Sequence, residues 1–276
     1  MKNGLKRTTP FCIVLFFILL VVHAWEAIFI RMDETVLGEN FINKVFGLIV
    51  MAICLKFMEL KWEDVGFRGR VLKLLGLGLL LAIGTFTISY ATEFMILAGR
   101  KQTARLEVFT TGFSLNGQNT MHTGMVYILV CIFFNIINVL MEEGVFRGLF
   151  PAILKRDHSD RIALLLPSFL FGIWHIVTPL HNLVDGDIGL PAFLLLSVGY
   201  TILAGMMGIK WCLLYRLTGS LYAGMADHFF NNCIATNLLH VVTDTGVDEM
   251  MILRVFIAQM ISFFVVYTIY RRKGTP

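Results

Sequence analysis

The sequence predicts an all-α fold, a polytopic membrane helical bundle of about eight transmembrane helices with both termini in the cytoplasm. Composition is the first reason: 57% of the 276 residues are hydrophobic and 15% are charged, and the mean hydropathy is +0.76. Soluble domains carry roughly a quarter charged residues, which cover the surface that faces water. A succession of long apolar segments and the placement of basic residues around them are the other two reasons.

Eight apolar segments approach the roughly twenty residues that a helix needs to cross a bilayer core of about 30 Å. They cover about residues 10–30, 42–60, 72–94, 125–154, 162–177, 191–209, 213–238 and 250–270. These segments leave no room for a soluble domain, so we expect a single integral membrane domain over residues 1–276. The first segment has a second interpretation as a cleaved signal peptide, because a small-residue cleavage pattern ends at Ala24.

Basic residues determine the expected orientation, because short cytoplasmic loops carry an excess of lysine and arginine. They precede the first segment, follow the second, separate the fourth from the fifth and the sixth from the seventh, and end the eighth: Lys2, Lys6, Arg7, Lys61, Arg68, Arg70, Lys155, Arg156, Arg161, Lys210, Arg216, Arg271, Arg272 and Lys273. One long loop, with Arg100, Lys101 and Arg105, does not follow this pattern. We therefore expect a multi-pass protein whose termini both face the cytoplasm.

The net charge of +4 is small and follows the membrane sides, so it does not form a patch that could bind nucleic acid. The expected partners are instead the lipid bilayer and a peptide or protein substrate at the membrane. The five cysteines lie in apolar stretches without CxxC spacing, which predicts small buried side chains and excludes a disulfide framework.

Polar residues cluster inside three of the apolar segments. An ionisable side chain in the bilayer core costs at least about 2.5 kcal/mol, so each one is a candidate for function. The fourth segment contains Glu-Glu-x-x-x-Arg, at Glu142, Glu143 and Arg147. The fifth contains Phe-x-x-x-His, at Phe171 and His175, and the seventh contains His-x-x-x-Asn, at His228 and Asn232.

The helical period gives these spacings a meaning. Residues four apart share a face, so Glu143 should pair with Arg147 while Glu142 turns about 100° away. Counted at about 1.5 Å per residue from the nearest cytoplasmic basic residue, Glu142, His175 and His228 lie about 18 to 21 Å deep. This agreement predicts that three helices place their polar groups in one layer.

A carboxylate and an imidazole facing one cavity can remove a proton from water, and a second imidazole with an amide can stabilise an oxyanion. We therefore assign Glu142 as general base, with His175 sharing the water. His228 and Asn232, one helical turn apart, are assigned to the oxyanion and to substrate positioning.

Structural interpretations compete with these assignments. Glu143 and Arg147 are expected to form a supporting buried ion pair, and Phe171 to pack against the imidazole of His175. A single intramembrane histidine is more often an interhelical hydrogen-bonding group, but three motifs together favour a site. Asp227 and Asn231 are expected to be packing or hydrogen-bonding groups. No special role is expected for His23 and Glu26, and His181 is expected to be a solvated residue of an outer loop.

The ordered set of three motifs resembles the CPBP intramembrane proteases, also called the CAAX-protease or Abi family. Each short motif is weak by itself, but their order and spacing on successive apolar segments are specific. The segment Trp-Glu-Asp-Val-Gly-Phe at residues 62–67 is similar to the family's usual approach to its conserved region. The resemblance places a motif-bearing protease core at about residues 123–240.

The resemblance implies a membrane-embedded endopeptidase that uses a glutamate-activated water without a covalent intermediate. On that analogy Glu142, His175, His228 and Asn232 carry catalysis. Eukaryotic members trim three terminal residues after a prenylated cysteine, whereas bacterial relatives are linked to peptide maturation or bacteriocin immunity. The compact length favours a bacterial plasma membrane. A carboxylate and two imidazoles could hold zinc, but the sequence lacks His-Glu-x-x-His, and we expect no metal cofactor.

Two other function classes stay open. A non-catalytic bacteriocin-immunity or scaffold protein could use the same fold to bind a partner. A proton-coupled transporter could use the carboxylate and histidines as a relay, although the sequence has no inverted repeat. Serine and aspartate intramembrane proteases fit less well, because no Gly-x-Ser-Gly or Gly-x-Gly-Asp pattern lies in a span.

Overall fold

The computed structural model describes residues 7–35, 39–111 and 121–274. Within these residues six helical stretches are long and apolar enough to cross a membrane: Thr8–Ile30, Val71–Gly99, Met125–Leu154, Asp160–Val184, Leu190–Thr218 and Met251–Arg272. The predicted all-α membrane fold is confirmed, and the protein is an integral membrane protein. Lys2 and Lys6, which entered the orientation argument, lie outside the described residues.

The helices and strands follow one another along the chain with few long connections. They are α1 (Thr8–Trp25), α2 (Ile42–Phe57), α3 (Val71–Gly99), β1 (Ala104–Val108), α4 (Met125–Glu143), α5 (Phe150–Leu154), α6 (Asp160–Trp174), α7 (Val177–Val184), α8 (Leu190–Thr218), α9 (Tyr222–Phe229), β2 (Leu239–Thr243) and α10 (Met251–Arg272). A short 3-10 turn covers Met32–Glu34. The two strands, which the sequence did not predict, pair antiparallel with Ala104 opposite Thr243.

The predicted boundary between the sixth and seventh segments is wrong. Helix α8 continues through the expected loop, and Lys210 is fully buried inside it. The helix ends at Gly219, whose φ of +71° is a left-handed conformation that glycine adopts without steric cost. Charge predicts this break wrongly, because Lys210 is buried within the helix and does not lie in a cytoplasmic loop. The second segment is also shorter than expected, since α2 has 16 residues.

Three helices continue into π-helical turns, at Glu26–Ile30, Gly144–Leu149 and Phe230–Thr236. A π-helical turn inserts an extra residue into the helix and is common at functional sites. Two of these turns directly follow predicted site residues, since Gly144–Leu149 begins after Glu143 and Phe230–Thr236 begins two residues after His228.

The chain forms two compact units. The first consists of Met1–Arg31, Asn40–Gly69 and Leu140–Leu221, and the second of Met32–Glu39, Arg70–Val139 and Tyr222–Pro276. The first unit therefore holds α1, α2, the end of α4 and helices α5 to α8, whereas the second holds α3, both strands, most of α4, α9 and α10.

Small residues let the helices of the first unit approach closely, as is usual between membrane helices. A Cβ on Gly172 in α6 would lie 2.4 Å from the backbone oxygen of Thr201 in α8. A Cβ on Gly47 in α2 would lie 2.6 Å from Cγ of Met141 at the end of α4. These two glycines bring α6 against α8, and α2 against the stretch that carries Glu142.

A buried carboxylate joins α1 to α2. Glu26 is fully buried and accepts hydrogen bonds from the backbone N–H groups of Ile42 and Asn43, at 2.8 and 2.6 Å, and from Nδ2 of Asn43 at 2.6 Å. These are donors at the N-terminus of a helix, where a negative charge is favourable. Glu26 therefore has a structural role that the sequence did not predict.

A network of charges holds the second unit together. Arg254 in α10 donates to Glu93 in α3 at 2.8 Å and to Asp248 at 2.7 Å, and Asp248 lies 2.5 Å from Nδ1 of His240 in β2. Burial would raise the pKa of Asp248, but its bonds with His240 and Arg254 hold that pKa below its usual value. The resulting stabilisation is present above the usual pKa of aspartate, about 3.9, and is lost as the pH falls through the lowered value.

Candidate functional site

Glu142 lies in the last turn of α4, with 3% of its surface exposed. Its Oε1 accepts a hydrogen bond from Nζ of Lys44 in α2 at 2.6 Å, and one from Nε1 of Trp174 in α6 at 3.1 Å. Lys44 Nζ also lies 5.0 Å from the centroid of the Trp174 ring. Within the first unit, one charged donor and one neutral donor therefore hold the same oxygen of the predicted general base.

His175 directly follows α6 and is half-buried. Its Nδ1 lies 2.9 Å from the backbone oxygen of Phe171. Because a carbonyl oxygen can only accept, Nδ1 must carry the proton, and a neutral ring then presents Nε2 as an acceptor. This is the tautomer that could accept a hydrogen bond from water.

The supporting residues form a chain of contacts that ends at His175. The ring of Phe171 contacts His175 edge to face, with centroids 4.5 Å apart. The guanidinium of Arg147 lies 3.7 Å from the Phe171 centroid, and its Nη1 lies 3.5 Å from Oε1 of Glu143. The predicted Glu143–Arg147 pair and the predicted Phe171–His175 contact are both present. Together they connect the π-helical turn after α4 to the imidazole.

His23 in α1 belongs to the same polar cluster, although we expected no special role for it. Its ring stacks on Trp174 with centroids 4.2 Å apart. It also interacts electrostatically with Lys44, Glu142 and His175. Three helices of the first unit, α1, α2 and α6, therefore contribute side chains around Glu142.

In the second unit, His228 and Asn232 contact each other as their spacing predicted. Nδ2 of Asn232 lies 3.1 Å from Nε2 of His228. Oδ1 of Asn232 accepts from Nδ2 of Asn231 at 2.8 Å, and Oδ1 of Asn231 accepts from Nε2 of Gln259 at 2.9 Å. Each amide donates to the next group along this relay, so its direction fixes the amide orientations.

This relay has a chemical consequence for His228. Because Asn232 donates to Nε2 of His228, a neutral His228 ring carries its proton on Nδ1. The Asn232 amide nitrogen has a second hydrogen, so both residues can still donate to a developing negative charge. Asn231, expected to be a hydrogen-bonding group, orients Asn232, and Asp227 is buried in α9.

Besides His23, the sequence patterns do not identify Lys44, Trp174 and Gln259 as contributors. Lys44 lies in an apolar segment, so the cost of burying its charge could have identified it. It is two residues from the start of that segment, where a lysine is normally taken for a boundary residue. Trp174 and Gln259 carry no charge, and nothing in their spacing distinguishes them from neighbouring packing residues.

These elements define a class: a multi-span helical membrane protein whose motif-bearing helices hold a buried carboxylate, histidines and amides in hydrogen-bonded clusters. Within it, residues 124–234 match a family model, described as Type II CAAX prenyl endopeptidase Rce1-like. The match contains all three motifs and confirms the family resemblance inferred from them. The family is one of proteases, which act on peptide substrates at the membrane. Comparisons with curated proteins and with solved structures find no match.

Proposed function

We propose that this protein is an intramembrane endopeptidase that hydrolyses membrane-associated, lipidated or hydrophobic peptides with a water activated by Glu142. The observation that carries the proposal is the environment of Glu142, a carboxylate held by Lys44 and Trp174 in the interior of a segment that matches a protease family. An ionisable side chain in a membrane-spanning segment is costly and is therefore a candidate for function, and the two fixed donors hold this carboxylate in one position, as a catalytic group requires.

The proposed reaction needs no covalent intermediate. Glu142 removes a proton from water, helped by the acceptor nitrogen of His175, while the water oxygen attacks the peptide carbonyl carbon. His228 and Asn232 donate hydrogen bonds to the resulting oxyanion. Glu142 then transfers the proton to the leaving amide nitrogen, the C–N bond breaks, and a carboxyl and an amino end are released.

We further propose that this reaction proceeds without a metal. The support is that the ammonium of Lys44 lies 2.6 Å from Oε1 of Glu142, where it would repel a cation on that carboxylate. The proposed location is a bacterial plasma membrane, and the proposed partner is a peptide or protein substrate at the membrane.

Cleavage by purified protein tests the proposed function. Full-length protein in lipid nanodiscs is incubated with candidate membrane peptides, and fragments are identified by mass spectrometry. We expect new carboxyl and amino ends with the wild-type protein, and a loss of at least about a hundredfold in Glu142→Gln and His175→Ala, since each removes a group in proton transfer. Glu63→Gln, an exposed glutamate outside the cluster, serves as control.

The same variants separate the open alternatives. A scaffold or immunity protein would keep its protective effect in cells in both variants at normal expression. A proton-coupled transporter would show uptake into liposomes that Glu142→Gln abolishes, with no peptide fragments. Either result contradicts the protease proposal.

A further inference from the structure

The reaction described above does not use the ion pair at Glu142. Nζ of Lys44 lies 2.6 Å from Oε1 of Glu142, and the side chains are 9% and 4% exposed. An isolated charge in such surroundings is strongly destabilised, so each member of the pair depends on the other. Lys44 therefore bears directly on the charge of the proposed general base.

The packing of α2 fixes this contact. Gly47, one turn after Lys44, lies against Met141, the neighbour of Glu142. A Cβ on Gly144 would lie 2.9 Å from Sδ of Met51 in the same α2 helix. Two glycines on facing elements thus allow the approach that brings the lysine to the carboxylate.

We propose that Lys44 is a positioning residue for hydrolysis, which keeps Glu142 ionised and holds its Oε1 while Oε2 takes the proton from water. This inference rests on the proposed function. Trp174 supplies the second donor to Oε1, so the carboxylate plane is held from two helices. Lys44 itself does not touch the substrate.

The ion pair also favours the second proton transfer. Once Glu142 accepts the proton, it becomes neutral, and the nearby ammonium loses its attraction to a negative charge. The protonated carboxyl is then a stronger acid than it would be without Lys44, which favours transfer of the proton to the leaving nitrogen. One lysine therefore stabilises the base before attack and promotes its regeneration afterwards.

The test compares kcat/KM for peptide cleavage, measured as a function of pH, in full-length wild type, Lys44→Met, Lys44→Gln, Lys44→Arg and Lys56→Met. Lys56 is the matched control, because it is an exposed lysine on the same helix. The other titratable or charged groups near Glu142 are His23, His175 and the Glu143–Arg147 pair. All variants retain these groups, so differences between the pH profiles report on position 44.

We expect Lys44→Met and Lys44→Gln to lose activity at neutral pH and to recover it at higher pH. Without the ammonium, the buried carboxylate is protonated more readily, so activity appears only at higher pH. A neighbouring opposite charge typically shifts the corresponding limb of a pH–activity profile by about 1 to 3 pH units. Lys44→Arg keeps the charge and should retain the wild-type profile at a reduced kcat. Lys56→Met should match the wild type.

The outcomes separate the two proposals. If Glu142→Gln is inactive but Lys44→Gln keeps the wild-type kcat/KM and pH profile, Lys44 has no positioning role. A uniform loss at every pH, not restored in Lys44→Arg, also overturns the role, because it indicates a structural contribution. If Lys44→Met does not fold, Lys44→Gln decides, since its amide keeps a polar group that can donate a hydrogen bond. If the wild type cleaves nothing, or Glu142→Gln cleaves as well as the wild type, the proposed function itself fails.

Discussion

In the motif that contains His228, each side chain donates a hydrogen bond to the next, and this chain of donors positions the polar groups. In the second unit the relay from Gln259 through Asn231 to Asn232 leaves each amide with one orientation, and Asn232 then determines which nitrogen of His228 accepts. A fully bonded relay of this kind costs less to bury than a partly bonded one, and it holds the final donor in place.

Gln259→Leu should therefore reduce cleavage although Gln259 is not a motif residue. The substitution removes the donor to Asn231, so the Asn231 and Asn232 amides can turn away from their bonded orientations. We expect kcat to fall roughly ten- to hundredfold with little change in KM, measured by peptide cleavage in nanodiscs. Thr268→Leu, an exposed position on the same helix, is the control. A wild-type kcat in Gln259→Leu would contradict the positioning role.

At this scale the sequence identified charged groups better than their partners. The cost of burial pointed to Glu142, His175 and His228, and helical spacing gave the Glu143–Arg147 and His228–Asn232 contacts. The partners Lys44 and Gln259 lie on other helices, about a hundred and about thirty residues away along the chain. Periodicity relates residues within a helix and carries no information on such pairings.

At the scale of elements, close helix packing depends on a few glycines. A Cβ on Gly78 in α3 would lie 2.1 Å from the backbone oxygen of Ala223 in α9, whereas a Cβ on Gly84, six residues later in the same helix, would meet nothing within 4 Å. Both positions are glycines in the same helix, but Gly78 is tightly packed and Gly84 faces open space.

Gly78→Ala should therefore destabilise the second unit by roughly 1 to 3 kcal/mol, because α3 must move away from α9. Gly84→Ala should be neutral or stabilising by up to about 1 kcal/mol, since alanine favours a helix more than glycine does. Unfolding of the purified variants in mixed detergent, followed by circular dichroism, measures both. Equal stabilities for the two variants would refute this account of the α3–α9 contact.

The sequence predicted the helices well and their ends less well. Apolar length located the long spans, but the break after α8 occurs at Gly219, not at Lys210, because the chain buries that lysine. The π-helical turns and the β1–β2 ribbon have no clear pattern in the amino-acid sequence, because they depend on contacts between distant segments.

At the scale of the whole molecule, both the eight predicted segments and the six long helices imply an even number of crossings. With an even number of crossings both termini lie on one side, and from the basic residues at each end we predict that this is the cytoplasmic side. Epitope tags at the two termini should resist protease in intact cells and become accessible in inverted membrane vesicles. Protection of one tag and digestion of the other in intact cells would rule out this topology.

The central claim is that Glu142 activates the water that cleaves the peptide. The most direct measurement is a single-turnover cleavage in ¹⁸O-labelled water, with mass spectrometry of the fragments from the wild type and from Glu142→Gln. We predict one ¹⁸O atom in the new carboxyl end with the wild type, no transfer of the acyl fragment to an added amine, and no fragments with Glu142→Gln. Fragments formed at the wild-type rate by Glu142→Gln, or acyl transfer to the amine, would contradict the claim.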